Sequence, residues 1–202
     1  MPALKAIIEN AITSNSYTYN SYMKLMTDLT ENKGTTGADQ SASLVEYTYL
    51  NYKRMSRLNK TIQLEPELKE TLENLNTKLL IVVLTEAWCG DAAQNLPLFH
   101  VIEGLSKNIE LKLVLRDEHL ELMDEFLTNG GRSIPKAIFL NPDTMEVLDT
   151  WGPRPKEAQN KVLEFKKTKG DYSEFVKTLQ LWYAKDKTIS QQKEILSILK
   201  SY

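Results

Sequence analysis

Residues 79–99 read LLIVVLTEAWCGDAAQNLPLF, and two patterns of different period meet in them. Residues 79–85 form a continuous apolar run of strand length, rich in β-branched side chains, as expected when both faces of a strand are covered. From about Asp91 the pattern becomes helical and continues to Ser106. Cys89, the only cysteine among the 202 residues, lies at the junction. The stretch therefore predicts a buried strand that leads into a helix with a thiol at its N-terminus.

The chain downstream of this stretch predicts the rest of a sheet. Strands are expected at residues 109–116, 136–140 and 146–151, and a helix is expected from Asp117 to the glycine pair Gly130-Gly131. Two strands that flank a long helix imply a parallel pair, whereas the tight turn NPDT at residues 141–144 implies an antiparallel pair. We therefore expect an α/β fold with a mixed four-stranded sheet and helices on both faces.

Helical patterns occupy both ends of the chain. The sequence divides into a helical N-terminal extension at residues 1–78, a core at residues 79–170, and C-terminal helices at residues 171–202 that pack on the core. Within the extension, the polar segment ENKGTTGADQS at residues 31–41 has two glycines and no apolar anchor, which predicts a mobile loop.

Composition excludes several classes of protein. Hydrophobic content of 42% and charged content of 26% are ordinary for a globular domain, and a net charge of −2 favours neither nucleic acid nor an anionic membrane as partner. A single cysteine rules out an intrachain disulfide and a cysteine-rich zinc site. The N-terminus lacks the features of a signal peptide, and no run reaches the ~18–20 apolar residues that span a bilayer. We therefore expect a cytoplasmic protein without a cofactor.

Two elements together resemble the thioredoxin superfamily. They are Trp88-Cys89-Gly90-Asp91-Ala92 at the start of a helix, and Ile134-Pro135 before the third strand. The longer segments LTEAWCGDAAQNLP, LRDEHLELMDEFLTNGGRSIPK and TWGPRP are similar to a bacterial thioredoxin-like family with a single-cysteine WCGDA site and a helical N-terminal extension. The resemblance covers roughly residues 79–170 and implies a thioredoxin-like fold.

The resemblance also implies roles for individual residues. Cys89 matches the attacking cysteine, and Trp88 matches the tryptophan that shields and shapes the site. Pro135 matches a proline that the family holds in a cis peptide bond opposite the cysteine. That bond would place the Ile134 backbone where an extended substrate chain could pair with it. Gly90 and Asp91 complete the loop that shapes the site.

Two positions depart from the family pattern. Ala92 stands where the resolving cysteine would be, and Val83 stands where many thioredoxins have a buried carboxylate. The first change removes the intramolecular disulfide, and the second removes the usual proton acceptor for resolving it. The sequence therefore excludes an autonomous dithiol reductase.

The reactivity of Cys89 depends on two opposing charges. A helix N-terminus favours the thiolate by about 0.3–1 kcal/mol, whereas a carboxylate such as Asp91, about 7 Å away, disfavours it by ~0.6 kcal/mol. Arg132, three residues before Pro135, has three open roles: pairing with Asp91, stabilising a thiolate, or binding an anionic group of a substrate. A surface salt bridge is its simplest role.

Three functional hypotheses follow. The first is thiol-based redox activity through Cys89, as monothiol disulfide exchange or thiol sensing, with protein or small-molecule thiols and disulfides as partners. The second is a redox-inactive binding or scaffold module that uses the groove around Trp88 and Pro135. The third is a metal or cluster site that two chains share through Cys89. The sequence leaves the substrate and the oligomeric state open.

Overall fold

The computed structural model describes residues 2–168 and 170–202. The helices are α1 (Pro2–Ser14), α2 (Tyr19–Glu31), α3 (Ala42–Thr61), α4 (Pro66–Glu73), α5 (Gly90–Leu105), α6 (Leu120–Asp124), α7 (Lys156–Thr168), α8 (Tyr172–Asp186) and α9 (Ile189–Leu199). The strands are β1 (Leu79–Thr85), β2 (Ile109–Leu115), β3 (Lys136–Leu140) and β4 (Val147–Trp151). Among the described residues, no helix is long and apolar enough to cross a membrane.

The four strands form one mixed sheet in the order β2-β1-β3-β4. Strand β1 pairs in parallel with β2 and antiparallel with β3, and β3 pairs antiparallel with β4. Every residue of β1 is buried, which explains its unbroken apolar sequence. The predicted α/β fold with a mixed four-stranded sheet flanked by helices is therefore confirmed.

The helix predicted from Asp117 to Gly130-Gly131 is much shorter in the structure. A 3₁₀ turn at Arg116–Glu118 precedes α6, which ends at Asp124. Beyond it, Thr128 and Gly131 exchange backbone hydrogen bonds of 2.9 and 3.0 Å around Asn129 and Gly130, which have φ angles of 51° and 74°. Positive φ at both central residues is the geometry of a tight turn that Asn-Gly favours. The Asn-Gly pair, rather than the pair of glycines, was therefore the relevant signal.

The segment at residues 31–41 is tied down by polar groups instead of apolar ones. Thr35 and Thr36 are only 5% and 6% exposed. The Thr36 hydroxyl donates to the carboxylate of Glu86 and accepts a hydrogen bond from the Ala87 N–H at 2.9 Å. The Thr35 and Thr48 hydroxyls are hydrogen-bonded at 2.6 Å. The lack of an apolar anchor in the sequence predicts a mobile loop. In the structure the segment is held by polar contacts instead, and such contacts leave no hydrophobic pattern in the sequence.

The N-terminal and C-terminal helices share the core of the sheet. The main apolar cluster includes Ile8, Met55 and Ile195 together with the residues of β1. A smaller cluster of Ala158, Val162, Leu179 and Tyr183 joins α7 to α8. The division into three parts at residues 78 and 170 stays a prediction. What matters for the site is that α3, α7 and α8 lie around the N-terminus of α5.

Candidate functional site

Cys89 is the N-cap of α5. Its Sγ accepts the N–H of Ala92 at 3.4 Å and donates to the carbonyl oxygen of Ile134 at 3.4 Å. An N-cap side chain normally satisfies this third N–H of the helix with an oxygen of Ser, Thr, Asp or Asn. Cys89 is 7% exposed, so the thiol closes the helix end and faces the strand junction with little contact to solvent.

The Ile134-Pro135 peptide bond is cis, as the resemblance implies. Pro135 is buried, and the carbonyl group of Ile134 is the acceptor for the Cys89 thiol. The N–H of Ile134 donates to no atom in residues 2–168 and 170–202. The carbonyl of Ile134 is therefore used by Cys89, whereas its N–H has no hydrogen-bond partner among the described residues, and Ile134 as a whole is 5% exposed.

Asp91 is held in a buried polar network. Its Oδ2 lies 2.5 Å from Nη2 of Arg154, and the Tyr183 hydroxyl donates to Oδ1 at 2.8 Å. The Asn95 side chain donates to the Asp91 carbonyl at 2.7 Å. The side chains of Asp91 and Arg154 are 11% and 19% exposed, so this ion pair is shielded from water. Arg154 comes from the segment TWGPRP, which follows β4, and Tyr183 comes from α8.

Arg132 pairs with Asp124, and this partner bears on the roles that the sequence left open for it. Arg132 donates from Nε and Nη2 to the two carboxylate oxygens of Asp124 at 2.6 and 2.7 Å. Both side chains are 47% exposed. Arg132 therefore forms a surface ion pair with Asp124 and not the pair with Asp91 that was one of its open roles, because it follows the turn at residues 128–131 and faces α6, which carries Asp124. Arg154 takes the position beside Asp91.

Burial dominates the electrostatics of Cys89. It raises the pKa of the thiol to about 12, and the nearby carboxylate of Asp91 acts in the same direction. Hydrogen bonds from the N–H groups of Ala92 and Asp91 and the charge of Arg154 lower the pKa by less. The predicted balance between helix end and carboxylate is thus settled by a third effect, the removal of the thiol from water.

Glu86 is a second buried carboxylate, three residues before Cys89. It is 1% exposed and accepts hydrogen bonds from Thr36 and from the N–H of Asp117, the latter at 2.8 Å. Burial raises its pKa. Its bonds tie the end of β1 to residues 31–41 and to the 3₁₀ turn. Val83, at the family's carboxylate position, is fully buried in β1. Glu86 therefore anchors loops instead of replacing that lost carboxylate.

A cleft of about 660 Å³ opens in front of Cys89. Of the predicted site residues, Trp88, Cys89, Gly90, Asp91, Arg132 and Ile134 line it, whereas Ala92 and Pro135 are buried behind its wall. The ring of Trp88 lies 4.9 Å from the guanidinium of Arg116. The remaining walls come from α3, α7, α8 and the segment after β4. The structure thus assembles most of the predicted site residues around one opening.

Several side chains of this site were not singled out by the sequence. Arg54 of α3 lines the cleft beside Gly90, and its Nη1 is 3.7 Å from the position that a Cβ on Gly90 would occupy. Arg154 lies in TWGPRP, a segment that carried part of the family resemblance but no predicted site residue. Tyr183 gave no local signal, because its contact with Asp91 spans 92 positions of the chain. Among the described residues, no group of three or more His, Cys, Asp or Glu side chains is placed to hold a metal ion.

The sheet order, the thiol at the N-cap of α5 and the cis peptide bond that faces it define a thioredoxin-like protein. The family model described as Thioredoxin (Thioredoxin_9) matches residues 37–197, and the chain belongs to this family. The match includes α3, which precedes the resembling segments, and most of α9.

Two solved structures share the fold at low sequence identity. A protein of unknown function from Pseudomonas aeruginosa is 19% identical with a TM-score of 0.60, and the match covers 75% of this chain and 85% of that one. An HIV epitope scaffold is 17% identical with a TM-score of 0.58, covering 92% of this chain and 99% of that one. A search of the curated proteins found no match. These likenesses concern the fold alone.

Proposed function

We propose that this chain is a thioredoxin-fold binding module that holds an extended peptide in the cleft around Trp88 and Ile134, with Cys89 as a neutral thiol at rest. The observation that carries the proposal is that Cys89 lines an open cleft while its thiol is buried and hydrogen-bonded. The thiol is buried, donates to the Ile134 carbonyl and has a pKa raised to about 12. Beside it, the N–H of Ile134 has no hydrogen-bond partner in the described part of the chain.

The magnitude of the pKa change weighs against fast thiol chemistry. At pH 7 a thiol of pKa about 12 is ionised to ~1 part in 10⁵, whereas a free cysteine of pKa ≈ 8.5 is ionised to ~3%. A more basic thiolate is the stronger nucleophile, and that property recovers a factor of ~40. The remaining deficit is ~10²-fold, and the small exposure of the sulfur adds to it.

The geometry of the cleft supports binding of an extended chain. A peptide laid along Ile134 would accept a main-chain hydrogen bond from its N–H, which is the usual source of affinity when a strand is added to exposed backbone. The half-buried ring of Trp88 supplies apolar contact area next to that position. Main-chain pairing and an aromatic contact together support a peptide site that needs no covalent step.

Thiol exchange is the second candidate, because Cys89 lines the cleft instead of facing the interior of the sheet. In that reaction the thiol loses its proton to water, and the thiolate attacks one sulfur of a partner disulfide. A mixed disulfide forms, and the other sulfur leaves as a thiolate. A second, external thiol must then release Cys89, since Ala92 offers none. A reducing compartment such as the cytoplasm, which keeps a thiol free, suits both candidates.

An array of octapeptides probed with the purified protein under reducing conditions tests the proposal. We expect Cys89→Ala to bind the same peptides as the wild type and Trp88→Ala to bind them about tenfold or more weakly. Trp182→Ala is the matched control, because Trp182 lies outside the cleft and donates to Glu157 at 2.8 Å.

Two outcomes would contradict the binding proposal. One is an array on which no peptide binds the wild type. The other is binding that Cys89→Ala abolishes, with wild-type Cys89 recovered under non-reducing conditions as a mixed disulfide with a peptide supplied in its disulfide form, which would favour exchange.

A further inference from the structure

The cleft is lined by more basic than acidic side chains, in a chain that is slightly acidic overall. The chain has 25 Lys and Arg residues against 27 Asp and Glu. Within the described part of the chain, Asp91 is the one carboxylate that lines the cleft. The basic side chains that line it are Arg54, Arg116, Arg132, Arg154 and Lys166. Positive charge is therefore concentrated at the opening, where it attracts anions.

Three of these cations already have carboxylate partners. Arg154 pairs with Asp91, and Arg132 pairs with Asp124. Arg116 lies 2.7 Å from a carboxylate oxygen of Asp117. Arg54 and Lys166 have no carboxylate within 4 Å in residues 2–168 and 170–202. The positive charge of the cleft is therefore only partly neutralised by the protein itself.

Arg54 is held in place by a neutral group. Its Nη1 donates to Oδ1 of Asn51 at 2.7 Å, and Asn51, which is fully buried, donates from Nδ2 to the Ala87 carbonyl at 2.9 Å. The guanidinium is thus fixed against the loop that carries Trp88 and Cys89. Because the guanidinium is partly removed from water, its pKa is lowered. A fixed, half-buried cation with only an amide partner retains donors for a ligand carboxylate.

We infer that the peptide held by the cleft is acidic, and that Arg54 binds one of its carboxylates. This inference rests on the proposed function and names the chemistry of its ligand. The peptide main chain pairs with Ile134, and its carboxylates meet Arg54 and Lys166. The basic groups are confined to a cleft of about 660 Å³, a volume that suits a short segment. A nucleic acid would also meet the net negative charge of the rest of the chain.

Fluorescence anisotropy with two fluorescein-labelled octapeptides tests the inference. One peptide carries four glutamates, and the other carries glutamine at the same positions. We expect the wild type to bind the glutamate peptide about ten- to hundredfold more tightly, the range for a charged hydrogen bond. Arg54→Gln removes this preference. Arg57→Gln, the same change one turn along α3 at an exposed position outside the cleft lining, retains it.

The outcomes separate the inference from the proposed function. Equal binding of both peptides by the wild type would overturn the acidic ligand while leaving a peptide-binding cleft. Equal losses in Arg54→Gln and Arg57→Gln would overturn the role of Arg54. Tighter binding of an oligonucleotide with the same number of charges would overturn the peptide as occupant. No binding of either peptide, together with a blank array, would overturn both proposals.

Discussion

Replacing Gly152 with alanine is expected to destabilise the protein by about 3 kcal/mol or more. Gly152 has a φ of 114°, a backbone conformation that residues with a Cβ atom rarely adopt. A Cβ built there lies 2.3 Å from the carbonyl oxygen of Pro135, so the backbone itself must move. Because Pro135 follows Ile134, the same movement would distort the wall of the cleft. Chemical denaturation measures the loss.

Gly104 provides the matched control for this substitution. It lies near the end of α5, and a Cβ there meets nothing within 4 Å. Alanine lowers the entropy of the unfolded chain and suits a helix, so Gly104→Ala should stabilise the protein by about 0.5–1 kcal/mol. If the two variants unfolded at the same denaturant concentration, the close approach of Gly152 to Pro135 would be contradicted.

Replacing Arg154 with methionine is expected to cost about 3–5 kcal/mol. Methionine is similar in length to arginine but carries no charge, so the substitution leaves the buried carboxylate of Asp91 without its counter-charge. The hydrogen bond from the Tyr183 hydroxyl offsets only part of that loss. The free energy of unfolding, measured at neutral pH, gives the effect directly.

Arg132→Met makes the same change in an exposed ion pair. The side chains of Arg132 and Asp124 are both 47% exposed, against 19% and 11% for Arg154 and Asp91. Exposed pairs contribute about 0–1 kcal/mol, so this control should be nearly neutral. Equal losses in the two variants would show that Arg154 and Asp91 are as well solvated as a surface pair.

The sequence predicts those parts of the fold that depend on local pattern. The apolar run at residues 79–85, the helical period after Asp91 and the turn at residues 141–144 each determine their own element. The order of these elements then restricts the sheet to few arrangements. The thiol at the N-cap of α5 was also a local expectation, since Cys89 directly follows the strand and precedes the helical pattern.

Other parts of the site depend on contacts that local pattern cannot encode. Arg154 and Tyr183 reach Asp91 from segments 63 and 92 positions away, so neither partner could be read from the residues around Cys89. The pKa of Cys89 also depends on contacts of this kind. The charges near it were visible in the sequence, but the burial that outweighs them comes from the packing of distant segments around α5.

The pKa of the Cys89 thiol distinguishes a buried, neutral thiol from a reactive thiolate. Alkylation with iodoacetamide across pH 6–10, compared with the same protein in denaturant, gives the fraction of thiolate in each state. We expect slow alkylation of the folded protein with no inflection below pH 10, because burial keeps the thiol protonated. An inflection at or below the ≈ 8.5 of a free thiol, with fast modification of the folded protein, would contradict it.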